Sequence, residues 1–147
     1  MKVRDCMCNQ VYWAEPNETV KNVAKLMQEK HVGCIPICQG GKTIVGLITD
    51  RDIVLRGVAC DKNTSTTPVS SLMTTDVYTV TPDAEITEVS KIMRDQQIKR
   101  VPVLENNTIV GILTLGDLAN SNQVNDEQVS NTVEGICRWG QNTQNDQ

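Results

Sequence analysis

The sequence predicts an α+β fold of two pseudo-symmetric β-α-β-β-α repeats packed sheet to sheet. Three observations carry this. The first is a stretch that occurs twice, Ile44-Val45-Gly46-Leu47-Ile48-Thr49-Asp50-Arg51-Asp52 and Ile109-Val110-Gly111-Ile112-Leu113-Thr114-Leu115-Gly116-Asp117. Each reads as an apolar strand that stops and opens a helix with a hydroxyl and a carboxylate, the groups that satisfy the unpaired amides of a first helical turn. The second is registration. Met7 to Met73, Pro16 to Pro82 and Pro36 to Pro102 are 66 residues apart, whereas Gly46 to Gly111, Thr49 to Thr114 and Asp52 to Asp117 are 65 apart. The slip falls where Gln39-Gly40-Gly41-Lys42 faces Glu105-Asn106-Asn107, and a turn tolerates a length change best. Two copies at this period imply one pseudo-twofold domain, not a solenoid. The third is composition. The 147 residues include no Phe, two Trp and two Tyr, so the core draws on Val, Ile, Leu, Met and Ala. A half of this size cannot cover both faces of its own sheet.

The elements follow in order. Val3 to Met7 reads as a helical turn, and Val11 to Trp13 as a first strand. Thr19 or Asn17 caps a helix whose apolar residues Val20, Val23, Ala24 and Met27 recur at helical spacing. Gly33 suits its C-terminal end. Cys34 to Cys38 is a strand whose Pro36 confines it to an edge or a strand start. Gly40-Gly41 turns the chain into the strand Thr43 to Ile48, and Asp50 to Val58 continues as a helix. The second copy repeats this with Val69 to Met73, a strand over Val77 to Val80, and a start signal at Thr81-Pro82-Asp83. A helix with Ile86, Val89, Ile92 and Met93 follows, then strands Lys99 to Leu104 and Thr108 to Leu113. The boundaries are repeat 1 at 1–60, a Thr- and Ser-rich linker at 61–68, repeat 2 at 69–120 and a polar tail at 121–147. In the tail, Val129, Val133 and Ile136 suggest a short amphipathic helix capped by Asn125 or Asp126, and Gln141 to Gln147 are expected to be disordered.

The net charge of −4 argues against an extended nucleic-acid surface, which needs clustered Lys and Arg. Neither a secretion signal nor a run of membrane-spanning length is present, so the expected location is cytoplasmic, with six reduced cysteines. Cys6, Cys8, Cys34 and Cys38 could supply thiolates to a metal, but Cys34 and Cys38 flank an apolar strand where Cys serves as a small hydrophobe, and His31 has no spaced partner. No metal site is expected, and a Cys-based metal or redox sensor is a minor alternative. With no nucleophile beside a base, one His and no Walker-type loop, an enzyme is not expected.

The residues quoted for both repeats closely resemble a tandem pair of CBS domains, the module named after cystathionine β-synthase. Met7 and Met73, Pro16 and Pro82, Gly33-Cys34-Ile35-Pro36-Ile37 with Lys99-Arg100-Val101-Pro102-Val103, and the two Gly-h-h-Thr-x-x-Asp elements (h, apolar) carry the likeness over residues 1–120. The Thr49-Asp50-Arg51-Asp52-Ile53 run looks like that of small stand-alone bacterial members. The resemblance implies a regulatory module of Bateman type that binds an adenosine-containing ligand in clefts between the repeats, with no required cofactor. AMP, ADP or ATP, NAD and S-adenosylmethionine are the candidate ligands. Carried over residue by residue, one site joins Thr49, Asp52 and Arg51 to Lys99 and Arg100, with Val77 and Tyr78 along the base. The other joins Thr114 and Asp117 to Val32, Gly33 and Cys34. The carboxylate would accept hydrogen bonds from ribose hydroxyls, while the Thr hydroxyl and helix N-terminus face phosphate. Arg100 makes the first site the expected phosphate binder. The resemblance also implies a homodimer, with Ile53, Val54 and Leu118 as interface candidates, and an unidentified protein target that meets the surface the ligand changes. The alternative is a ligand-free dimerisation module in which Thr49, Asp52, Thr114 and Asp117 are helix caps.

Overall fold

The computed structural model describes residues 1–121 and 124–137. Two compact units emerge, and they do not follow the linear repeats. Among the described residues, one holds 12–77, and the other combines Met1–Val11 with those from Tyr78 to Cys137.

In the first unit, helix α1 spans Val20–Lys30, and strands β1 (Cys34–Gln39) and β2 (Thr43–Thr49) form an antiparallel hairpin. A short helix α2, Asp50–Asp52, runs on through a π-wound stretch, Ile53–Val58. The Thr19 hydroxyl caps α1 by accepting from the Asn22 amide at 3.2 Å. Its apolar stripe then lies against the hairpin, and Val20, Val23, Met27, Ile35, Ile37 and Ile48 are buried together with Val69 and Leu72. Each fully buried Val or Ile contributes about 1.5–3 kcal/mol relative to exposure.

The second unit repeats the plan with α3 (Ile86–Gln96), β3 (Arg100–Glu105), β4 (Thr108–Thr114) and α4 (Leu115–Asn120). It adds α5, Asp126–Ile136, capped by the Asn125 side chain accepting from the Gln128 amide at 2.7 Å. Its core contains Val89, Met93, Ile98, Val101, Val103, Leu113 and Leu118. The one-residue slip of the duplication lies in the hairpin turns. Gly40 and Gly41 carry positive φ in the longer turn, and Asn106 and Asn107 carry it in the shorter one, as a type I′ connection requires.

Each opening turn packs on the hairpin of the other repeat. Thr74 and Leu47 exchange backbone hydrogen bonds at 2.8 and 2.9 Å, and Cys8 and Ile112 do the same at 2.9 Å in each direction. This explains the glycine in the duplicated stretch. A Cβ on Gly46 would lie 2.6 Å from the Met73 sulfur, and one on Gly111 would lie 2.6 Å from that of Met7.

The structure corrects four expectations. The strands expected at Val11–Trp13 and Val77–Val80 reduce to single bridges, Ala14 to Ile37 and Val80 to Val103, so among the described residues each sheet has two strands. His31, not Gly33, ends α1 in the left-handed conformation at φ 55°. Helix α3 starts at Ile86 after Glu85 and has no side-chain cap, because Thr81-Pro82-Asp83 is spent on a preceding turn. Leu118 is fully buried, so it belongs to the core and not to a subunit interface. The exposed apolar residues near that position in repeat 1 are Val54, Leu55 and Val58. Gln141 to Gln147 lie outside the described residues.

Candidate functional site

Both Thr-x-x-Asp elements form capping boxes. The Thr49 amide donates to Asp52 Oδ2 at 3.0 Å while the Asp52 amide donates to Thr49 Oγ1 at 3.1 Å. The corresponding distances at Thr114 and Asp117 are 2.8 and 3.1 Å. The chemistry of a box follows from the sequence: a hydroxyl and a carboxylate three residues apart satisfy two amides reciprocally.

The surroundings differ sharply. Asp52 is 0% exposed and Thr49 1%. The second oxygen of Asp52 lies 3.4 Å from Arg56 Nη1, one helical turn on. The same guanidinium nitrogen donates to the Leu72 carbonyl at 3.0 Å and lies 3.4 Å from the Thr74 hydroxyl. Asp52 is thereby tied to a cation of its own unit. At the 65-residue offset the second repeat has Ser121 in place of Arg56. Asp117 is half-exposed, and no ion pair to it occurs among the described residues. Beneath it, the Cys6 thiol donates to the Asp117 carbonyl at 3.5 Å, and burial pushes that thiol up.

Hairpin register decides which predicted residues meet within a unit. Thr114 pairs across the ladder with Arg100, so their side chains share a face, and the Leu115 amide donates to the Lys99 carbonyl at 2.8 Å. Tyr78 belongs to the same unit. It stands exposed, with its hydroxyl donating to Gln96 Oε1 at 2.8 Å. In the other unit Thr49 pairs with Cys34, and the Asp50 amide donates to the Gly33 carbonyl at 3.0 Å. Val32 and Val77 are half-buried there, and Arg51 is exposed. The crosswise grouping expected from the sequence joins residues of different units. Inside each unit the register sets Arg100 opposite Thr114 and Cys34 opposite Thr49, with the Lys99 carbonyl on the Leu115 amide and the Gly33 carbonyl on the Asp50 amide.

Arg56 is the partner of the first box that sequence reasoning missed. An Asp followed four residues later by Arg on a helix was the available signal. Cys34 and Cys38 behave as apolar filling: both are buried, and burial, helped by the Glu15 carboxylate, raises the Cys38 thiol to about 11. Among the described residues no group of three or more His, Cys, Asp or Glu side chains could hold a metal ion. Nor is any helix among them long and apolar enough to cross a membrane.

A doubled hairpin-and-helix unit with a Thr-x-x-Asp box after each hairpin defines a class, and comparison with known proteins identifies it. The CBS domain pattern matches residues 3–58 and again 69–122; the chain belongs to the CBS domain family. The CBS domain-containing protein YhcV of Bacillus subtilis is 38% identical over 134 residues, 91% of this chain and 94% of that protein. A crystal structure of Hypoxic Response Protein I with two coordinated zinc ions is 34% identical, with a TM-score of 0.75 over 81% of this chain and 97% of that one. The CBS domain pair of protein MJ0100, solved with methylthioadenosine and S-adenosyl-L-methionine, is 27% identical, with a TM-score of 0.74 over 81% of this chain and 97% of that one. As a CBS pair, the chain is of a regulatory type.

Proposed function

We propose that this chain senses an adenosine-containing ligand, and that the second Thr-x-x-Asp element, not the first, receives its ribose. The supporting observation is the inequality of the two carboxylates. Asp52 is fully buried against Arg56, whereas Asp117 is half-exposed in the unit that also holds Lys99, Arg100 and Tyr78. A carboxylate that accepts vicinal hydroxyls, a guanidinium for phosphate and an exposed aromatic ring for a base make a chemically consistent set. The adenosyl ligands of the MJ0100 pair support the same class. Thr49 and Asp52 serve chiefly as a structural cap in this reading, with Gly33 and Cys34 next to it and no ligand role for Arg51, Val32 or Val77.

The ligand acts by differential affinity for two arrangements of the module, and so alters what a protein target meets. The active form is a homodimer, and exposed Val54, Leu55 and Val58 supply an apolar contact of the kind that a twofold interface reuses.

The test is isothermal titration of AMP, ADP, ATP, NAD and S-adenosylmethionine into the wild type, Asp117→Ala, Arg100→Ala and Arg51→Ala. One ligand should bind, Asp117→Ala should abolish its heat, and Arg51→Ala should leave it unchanged. Arg100→Ala should weaken a phosphorylated ligand about tenfold, the loss of one charge-assisted contact. Absence of heat with every ligand overturns the reading and leaves both boxes as caps.

A further inference from the structure

A second surface, remote in sequence from either box, has the features of a binding groove. It opens between α1 and the segment that precedes it, and its volume is about 490 Å³. Val23 and Leu26 form the floor, Trp13 stands at one side, and Glu15, Glu18 and Glu29 line the space. Trp13 is 41% exposed, which is unusual for the largest apolar side chain. It is also held in place. A Cβ on Gly41 would lie 2.9 Å from the indole ring, so the turn backbone lies directly against that ring. The Gly40 amide of the same turn donates to Glu15 Oε2 at 3.3 Å. An exposed tryptophan fixed by its surroundings loses little entropy on binding, and this is the character of an interface anchor.

The charge of the groove selects its occupant. Three glutamates face it against one lysine, Lys25, so the rim is net acidic beside an aromatic face. Long cationic side chains fit such a surface, their alkyl stems on the indole and leucine and their charged ends toward the carboxylates. Next to it the chain already makes a contact of this kind, with Lys30 Nζ 5.1 Å from the centre of the Tyr12 ring. The duplication supplies an internal control. At the 66-residue offset Trp13, Glu15 and Glu18 become Thr79, Thr81 and Ala84, while the floor residues Val23 and Leu26 become Val89 and Ile92. The floor is common to both repeats because the core needs it. The tryptophan and two of the acids belong to this face alone.

We infer that the groove docks a basic segment of a partner protein, with Arg or Lys side chains on either side of an apolar residue. The probe is the peptide acetyl-Gly-Arg-Leu-Arg-Gly-amide, with its Glu-for-Arg counterpart and free arginine amide as comparisons. Trp13 fluorescence is read in a Trp139→Phe background, so that one indole reports. The basic peptide should give a saturable change that the acidic peptide lacks. Its affinity should fall about tenfold in Glu15→Gln/Glu29→Gln, as expected for two partly exposed charge pairs, and should fall further in 0.5 M salt, roughly beyond the Debye range. A melting temperature equal to that of the parent shows that the double variant is folded. Three results overturn the inference: no saturable change, equal binding by the glutamine variant, or arginine amide binding as tightly as the peptide.

Discussion

Replacing Arg56 by Ala tests the inequality of the two boxes most directly. In the folded chain the Asp52 side chain is 0% exposed and that of Arg56 is 38% exposed, with 3.4 Å between carboxylate and guanidinium. Removing one partner of a fully buried pair costs about 3–5 kcal/mol, because a charge is left buried without compensation. Here the guanidinium side is partly solvated, so screening reduces that to about 2 kcal/mol. The hydrogen bond to the Leu72 carbonyl at 3.0 Å adds about 1 kcal/mol. The expected loss is about 3 kcal/mol, read as a lower urea midpoint by far-ultraviolet circular dichroism. Asp117→Ala, which removes a half-exposed cap, should cost only about 1 kcal/mol. The double variant Arg56→Ala/Asp52→Asn should recover part of the loss, since no isolated charge then remains buried. An Arg56→Ala loss below about 0.5 kcal/mol, or a double variant worse than the sum of its parts, would refute the argument.

Two further outcomes follow from the same geometry. Gly46→Ala places a methyl 2.6 Å from the Met73 sulfur and 2.9 Å from the Thr74 carbonyl. Overpacking of this kind costs about 1–3 kcal/mol, and adding Met73→Ala should restore only part of it, because the carbonyl remains; thermal melts of both variants check this. The Cys38 thiol, raised from 9.0 to about 11 by burial and then by Glu15, makes stability pH-dependent. Below pH 9 both folded and unfolded chains keep the proton and the contribution is intact. Between there and about pH 11 the unfolded chain loses its proton first, so stability falls by about 2–3 kcal/mol. Urea midpoints of the wild type and Cys38→Ala at pH 8 and 10.5 should converge as pH rises; parallel curves would exclude the buried thiol as the cause.

The duplication, the two hairpin-and-helix units and both Thr-x-x-Asp boxes can be read directly from the residues. These depend on short-range rules: apolar periodicity, turn residues with positive φ, and a hydroxyl three residues before a carboxylate. The turn at Asn106-Asn107 and helix α5 were legible for that reason, and the structure chose Thr19 over Asn17 as the cap of α1. Other features were decided only by tertiary structure. Met7 and Met73 each pack on the opposite repeat's glycine, because the close approach of a side chain to a backbone depends on chain path and not on composition. Tertiary burial also divided two boxes of identical spacing, sealing Asp52 against Arg56 and leaving Asp117 half-exposed. Trp13, silent as a motif, became a candidate anchor once the turn at Gly41 was folded against its ring. A local pattern states which groups can bond to each other; only packing decides which of them still faces water.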